Sequence, residues 1–403
     1  MSAHAFDTQG LEHCPFMPVF GPPQVMFARG KGTELRDTDG KRYLDFLCGL
    51  AVTSLGHSHP AVTEAICTQA NELLHVSNLF ANPRALAAAL KVNTLLLETT
   101  GHEGQVFFCN SGAEANEAAL KLARKFGGRG RHGVISAYGS FHGRTLATLA
   151  ATGQPTKHEP FQPMPDGFRY AAFNDIAALE AAIDPTVGAV LLEPVQGEGG
   201  VVPADVQYLR DVRALCDERG LLLIMDEVQT GFGRTGQWFG FQHAGIVPDV
   251  VTMAKAMGNG FPVGACWATR EVASVFQPGD HGSTYSGTAI ATAVVSAVID
   301  EMRRIDAPRL ARERGAELTA KLAAVPGVAG VRGSGLLLAV ELDVALLGGV
   351  DAKAVYAGLL QRGIVTNAVT ATALRLAPPL TVSSAEIDEA VTIFTDVLQE
   401  FLA

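Results

Sequence analysis

The sequence predicts an α/β fold: a large domain built on a mostly parallel sheet, followed by a smaller α+β C-terminal domain. Three features lead there. Between about residues 105 and 270, short continuous apolar runs alternate with amphipathic stretches, as strands buried on both faces by helices require. Hydrophobic residues make up 48% of the 403-residue chain and charged residues only 18%, which supplies a large core and excludes global disorder. Glycine is abundant, at 43 residues, as expected where tight turns crowd around a site.

Each element follows from local pattern. Residues 1–60 are punctuated by Gly and Pro, with short strands at 25–29 and 33–36, and are expected to pack against the C-terminal domain. Residues 105–109 read as a strand feeding a helix over 113–126, where Ala115, Ala118, Ala119, Leu122 and Phe126 form one stripe. Residues 189–192 form a buried strand. A helix over 207–219, stopped by Gly220, leads into a strand at 221–225. Strands at 250–253 and 263–268 complete the large domain, placed at 61–304. The region 305–403 holds helices, a strand at 336–341 and short strands near Ile364 and Leu374.

Charge and cysteine usage narrow the function. The balance of 31 basic against 41 acidic residues, net −10, is no footprint for nucleic acid, though local basic pockets for small anions stay open. Cys14, Cys48, Cys67, Cys109, Cys216 and Cys266 include no Cys-x-x-Cys pair, so they read as reduced and mostly buried. The first ten residues lack a basic start and an apolar core, which predicts no secretory leader. No stretch reaches the ~18 apolar residues of a membrane span, and a cytoplasmic, soluble protein is expected.

Polar residues gather where the predicted strands end, which is where open α/β sheets bind ligands. Asp226 directly follows five apolar residues, so it is expected to be at least partly buried with a cationic or proton-donating partner; a helix cap or a structural ion pair also fits. Lys255 follows another strand among apolar neighbours and suits a Schiff-base nucleophile of lowered pKa; so does a snorkelling surface lysine. The two together match pyridoxal phosphate, which needs an acid at its pyridine nitrogen and a lysine at its aldehyde. Asn110-Ser111-Gly112-Ala113 opens a helix, suiting either a phosphate or an ordinary Ser N-cap. Phe141 and Arg144 offer a ring to stack and a guanidinium to clamp a carboxylate. Arg375 is a cation in an apolar segment that needs an anionic partner, with Glu193 and Glu198 as candidates.

Other motifs carry nothing. The GxGxxG match at 128–133 follows a helix and precedes a strand, the wrong order for a dinucleotide; the match at 231–236 has no clear helix after it. His57 and His59 lack ligands at metal spacing and read as turn or packing residues.

In combination, the blocks FFCNSGAEANEAALKLAR, SFHGRTLATLAATGQ, EPVQGEGGV, MDEVQTGFGRTG, PDVVTMAKAMGNGFPVGA and LRLAPPL resemble the class III pyridoxal-phosphate aminotransferases of fold type I. The likeness is strongest to the acetylornithine aminotransferases and runs in family order over nearly the whole chain. It implies that Lys255 would hold the cofactor's aldehyde and then carry the substrate proton. Asp226 would keep the pyridine nitrogen protonated, Gln229 would bond the phenolic oxygen, and Val228 and Phe141 would cover the two ring faces. Gly112 and Ala113 would bind the phosphate together with Thr284 of a neighbouring subunit, which implies a homodimer with shared active sites. Ser283 of that subunit and Arg144 would touch substrate. Arg375 would bind the α-carboxylate of glutamate and pair with Glu198 when the amino donor is bound. No metal is implied.

The implied reaction is transfer from N-acetylornithine to 2-oxoglutarate, giving N-acetylglutamate 5-semialdehyde and glutamate in arginine biosynthesis. Another ω-aminotransferase of the family (succinylornithine, ornithine, lysine or 4-aminobutyrate as donor) and an aminomutase on the same fold stay open. Leu50 stands where ornithine aminotransferases carry a tyrosine that reads a free α-amino group, which favours an N-acylated donor. Tyr285-Ser286-Gly287-Thr288-Ala289, Phe20 and Thr53 depart from the family pattern near the expected substrate mouth or dimer seam.

Overall fold

The computed structural model describes residues 16–402, so Cys14 lies outside the described residues. The chain opens with three short strands, β1 (Phe27–Lys31), β2 (Glu34–Asp37) and β3 (Arg42–Asp45). A central group follows: β4 (Gly104–Cys109), β5 (Gly133–Ala137), β6 (Phe168–Ala171), β7 (Val187–Leu192), β8 (Val195–Gln196), β9 (Val202–Pro203), β10 (Leu222–Asp226), β11 (Val250–Met253) and β12 (Gly264–Thr269). The last group is β13 (Val328–Ser334), β14 (Leu337–Leu342), β15 (Ile364–Val365), β16 (Asn367–Ala368) and β17 (Ala373–Leu376).

Seven strands make the central sheet, in the order β4-β12-β11-β10-β7-β5-β6. From β11 to β6 every pairing is parallel. Only β12 runs against both of its neighbours, so the sheet is mostly parallel, as expected. Every residue of β5, β7, β10 and β11 is buried, which is why these strands read as unbroken apolar runs.

The helices keep the predicted patterns with ends shifted by a residue or so. Helix Gly112–Gly127 buries Ala115, Ala118, Ala119 and Leu122, and the Ser111 hydroxyl accepts the Glu114 N–H at its start; Phe126, expected on the same stripe, is exposed in the last turn. Helix Val206–Arg219 stops at Gly220, whose φ of 61° is left-handed, a conformation that favours glycine. Cys48, Cys109, Cys216 and Cys266 are free and buried; Cys67 is free and exposed.

The two ends of the chain meet. Strands β1, β2 and β3 share a sheet with β15, through Ile364 opposite Leu44 and Val365 opposite Asp45. A second C-terminal sheet runs β13-β14-β17-β16. His57 packs its Nε2 2.7 Å from Asp45, and His59 lies 3.4 Å from Glu301, so both are packing residues with carboxylate partners. No group of residues that could hold a metal ion occurs among the described residues. No helix among them is long and apolar enough to cross a membrane.

Helix Ala307–Ala323 crosses the β13–β14 hairpin at Gly315. A Cβ there would stand 2.0 Å from the Gly335 carbonyl oxygen. Glycine costs a helix interior about 0.5–1 kcal/mol relative to alanine, so a free helix would gain from Gly315→Ala. Here the overlap outweighs that gain. We expect Gly315→Ala to lower stability by about 1–3 kcal/mol, read as a lowered thermal midpoint; a raised midpoint would show that the hairpin yields.

Candidate active site

Strands β4, β5, β7, β10 and β11 all point their carboxyl ends to one edge of the sheet. The loops that leave this edge enclose a cleft of about 400 Å³. Asp226 ends β10 and is 4% exposed. Its Oδ2 accepts from Asn116 Nδ2 at 2.8 Å and lies 2.8 Å from His142 Nδ1, while Oδ1 accepts the Val228 N–H at 3.0 Å. A carboxylate taken out of water is tolerated when its lone pairs are filled in this way.

Lys255 lies just past β11 and reaches the same cleft. Its backbone is left-handed, with φ of 47°. Burial, and next the Arg375 charge, lower its ammonium to about 8, against the opposite pull of Asp226, Glu198 and Glu193. A lysine with that value is uncharged often enough near neutral pH to attack a carbonyl or take a proton. A buried acid and a half-buried lysine thus stand at the ends of adjacent strands, β10 and β11.

Arg375 comes from β17 and is 1% exposed. Its Nη1 donates to Glu198 Oε1 at 2.7 Å and lies 3.5 Å from Gln229 Oε1; its Nε donates to Asn367 Oδ1 at 3.1 Å. Burial pushes the Glu198 carboxyl up, but Arg375, Lys255 and Lys157 together hold it below its ordinary value. Of the two candidate partners for Arg375, Glu198 takes the role. Glu193 instead accepts the N–H groups of Phe141 at 3.1 Å and Gly197 at 3.4 Å. Burial, with the Asp226 charge, pushes its carboxyl up to about 7.

Gly112, Ala113, Phe141, Arg144, Glu198, Val228 and Gln229 line the cleft with Asp226 and Lys255. Arg144 is exposed, its guanidinium 5.3 Å from the Phe141 ring. Ser283 and Thr284 are outside this lining: Ser283 Oγ receives Asn110 Nδ2 at 3.0 Å, and Thr284 is exposed. Leu50 sits on a left-handed turn, residues 48–51, with φ between 52° and 70°. Asp45 Oδ1 holds that turn by accepting the Leu47 and Cys48 N–H groups, and Val52 after it lines the cleft.

The family model for Aminotransferase class-III matches residues 19–398. The chain belongs to that family. An acetylornithine aminotransferase of Corynebacterium efficiens is 47% identical over 391 residues, covering 96% of this chain and 95% of that protein. A succinylornithine transaminase of Salmonella enteritidis is 44% identical, over 92% of this chain and 91% of its own length. Among solved structures, the ornithine aminotransferase of Toxoplasma gondii superposes with a TM-score of 0.89 at 32% identity, covering 96% of this chain and 93% of that one.

The cofactor of a class-III aminotransferase is pyridoxal 5'-phosphate, and the cleft fits it. The start of helix Gly112–Gly127 presents N–H groups that have no partner within the helix, which suits a phosphate. A Cβ at Gly112 would stand 2.8 Å from Val228 Cγ1, so only glycine lets that backbone and Val228 close on the site together. Asn116, His142 and Asn367 were not singled out from the sequence. Asn116 and His142 lie inside blocks with a visible signature, SGAEAN and SFHGRT; Asn367 has no local signal.

The charges around Lys255 give a pH prediction. Only the uncharged amine captures the cofactor, so the rate at which the apo chain takes up pyridoxal phosphate should rise with pH and level off above about 8. Glu198→Gln removes a charge that raises the lysine's pKa and should move the inflection lower. Arg375→Ala removes one that lowers it and should move the inflection higher. Stopped-flow mixing over pH 6–10 checks both; shifts in the same direction for the two variants would contradict the assignment.

Proposed function

We propose that this class-III aminotransferase moves the terminal amino group of N-acetylornithine to 2-oxoglutarate, giving N-acetylglutamate 5-semialdehyde and glutamate, as a step of arginine biosynthesis in the cytoplasm. The observation that carries the reading is the Glu198–Arg375 pair at 2.7 Å, in which Arg375 is buried and Glu198 is half-buried, set beside Lys255. One site must bind a dicarboxylate in one half-reaction and a donor without that second carboxylate at the reacting end in the other. A cation that has its own carboxylate to fall back on does both.

Bound pyridoxal phosphate supplies the carbonyl that takes up the amino group and a ring that stores the electron pair freed when a C–H bond breaks. The chain supplies the rest. Lys255 Nζ would move the proton between the substrate carbon and the cofactor, a role its lowered pKa allows. Asp226, braced by His142 and Asn116, would hold a proton on the ring nitrogen. Gln229 would bond the phenolic oxygen, Phe141 and Val228 would cover the ring faces, and Gly112 and Ala113 would bind the phosphate. Arg144 binds the carboxylate remote from Arg375.

We further propose a homodimer in which Thr284 of the partner subunit completes the phosphate site and Ser283 of the partner subunit touches substrate. Support comes from the exposure of Thr284 and from a set of exposed large apolar side chains, Leu79, Phe80, Leu86, Leu90 and Tyr285, on and near its own segment. Leu50 in place of a polar side chain favours an N-acylated donor. A succinyl donor is the second reading, favoured by the likeness to a succinylornithine transaminase.

The yellow holoenzyme should bleach when N-acetylornithine is added without acceptor, as the cofactor takes up the amino group. Persistent yellow with N-acetylornithine and bleaching with succinylornithine would select the second reading. Arg375→Ala should raise the KM for 2-oxoglutarate by roughly 100-fold, about the loss expected when one partner of a buried charge pair is removed. The donor half-reaction should change far less; equal losses in both would refute the switch.

A further inference from the structure

Arg234, in the turn that follows Asp226 and Gln229, has no role in the chemistry above. It is 0% exposed. Its Nη1 donates to the carbonyl oxygens of Leu336 at 3.0 Å and Pro378 at 2.5 Å, and its Nη2 to Ser54 Oγ at 2.8 Å. Its backbone is held too: the Leu336 N–H donates to its carbonyl at 2.9 Å, and Ser334 Oγ donates to the Thr235 carbonyl at 2.9 Å. No acidic group forms an ion pair with it among the described residues. A buried guanidinium without a carboxylate is costly, so three neutral acceptors would be a poor reason to keep one for stability alone.

What it joins gives the reason. Ser54 belongs to the N-terminal segment, Leu336 to the β13–β14 connection, and Pro378 lies three residues beyond Arg375. Between them, the Ala377 N–H donates to the Phe46 carbonyl and the Leu380 N–H to the Ser54 carbonyl, both at 2.7 Å. The end of β17 is thus tied by Arg234 to the loop that begins with Asp226, and by two backbone bonds to the N-terminal segment. Arg375 projects from that strand toward Glu198 and Gln229.

We propose that Arg234 is a positioning residue for the acceptor: it pins the end of β17 to the Asp226–Gln229 loop, so that Arg375 is preset for a dicarboxylate without a closing movement of the C-terminal sheet. The inference rests on reading Arg375 as the carboxylate-binding residue. Lysine cannot replace it, because one ammonium lacks the planar fork that reaches two carbonyls and a hydroxyl at once.

The test uses holoenzyme and glutarate, a dicarboxylate with no keto group to react, with its Kd measured by calorimetry. Arg234→Lys should weaken glutarate about tenfold or more, the order expected when a binding group is displaced by a fraction of an ångström. The KM for 2-oxoglutarate should rise in step, while kcat at saturation and bleaching by N-acetylornithine stay within about threefold, as positioning lost mainly in binding requires. Leu322→Ala, in the core of helix Ala307–Ala323 and away from the pin, supplies a destabilised control whose glutarate Kd should not move. Unchanged glutarate binding in Arg234→Lys, or equal loss of glutarate and donor, overturns the proposal. If Arg234→Lys does not fold, Ser54→Ala removes one arm of the pin and should shift glutarate in the same direction by less; no shift overturns it. Unchanged glutarate binding in Arg375→Ala would mean that the reading of Arg375 itself has failed, and the pin with it.

Discussion

Asp226 carries a carboxylate to the end of a fully buried strand, and the surroundings of that one group organise the site. Removing a charge from water without partners costs several kcal/mol, so the fold must deliver donors to it. Asn116 arrives from the helix after β4, His142 from the loop after β5, and the Val228 N–H from its own turn. Each comes from the same edge of a parallel sheet. The topology is therefore what makes a buried carboxylate affordable, and the donors that satisfy it also fix the walls of the cleft.

The second electrostatic unit is built differently. Arg375 is buried next to Lys255 and Glu198, both half-buried. Burial, and next the Arg375 charge, lower the lysine, while Arg375 and Lys255 hold Glu198 below its ordinary value. Glu193 stands beside this unit but bonds backbone groups of the Phe141 and Gly197 loops. It links the residue that would stack on the ring to the loop that carries Glu198. The site thus combines a satisfied anion at one end with a carboxylate-paired arginine beside a lowered lysine at the other, which suits a reaction that stores charge in a ring and binds dicarboxylates.

Left-handed backbone occurs on two stretches beside the site. Lys255 and Asn259 are left-handed within five residues of each other, a conformation that L side chains adopt at a cost. Asn259 Oδ1 accepts the Leu55 N–H at 2.7 Å, and its Nδ2 donates to the Gly56 carbonyl at 3.1 Å. These bonds hold the lysine loop against the N-terminal segment. The left-handed turn at 48–51 belongs to that same segment, so both strained stretches are stabilised by one packing arrangement.

Local pattern determined a good deal of this protein. Unbroken apolar runs specified β7, β10 and β11, because a strand covered on both faces has no polar side to show. Gly220 and Ser111 marked helix ends through backbone conformation and capping, which are local effects. Asp226 and Lys255 stood out as charges placed directly after such runs, and the motif blocks located the remaining lining residues. Tertiary structure alone decided the partners. Arg375 chose Glu198 over Glu193 through the fold of a loop 177 residues away, and β12 turned against its neighbours although its sequence looks like theirs. Asn367 and Arg234 carry no local sign of what they bind, because a side chain's donors are visible in the sequence but the carbonyls they meet are set by chain packing.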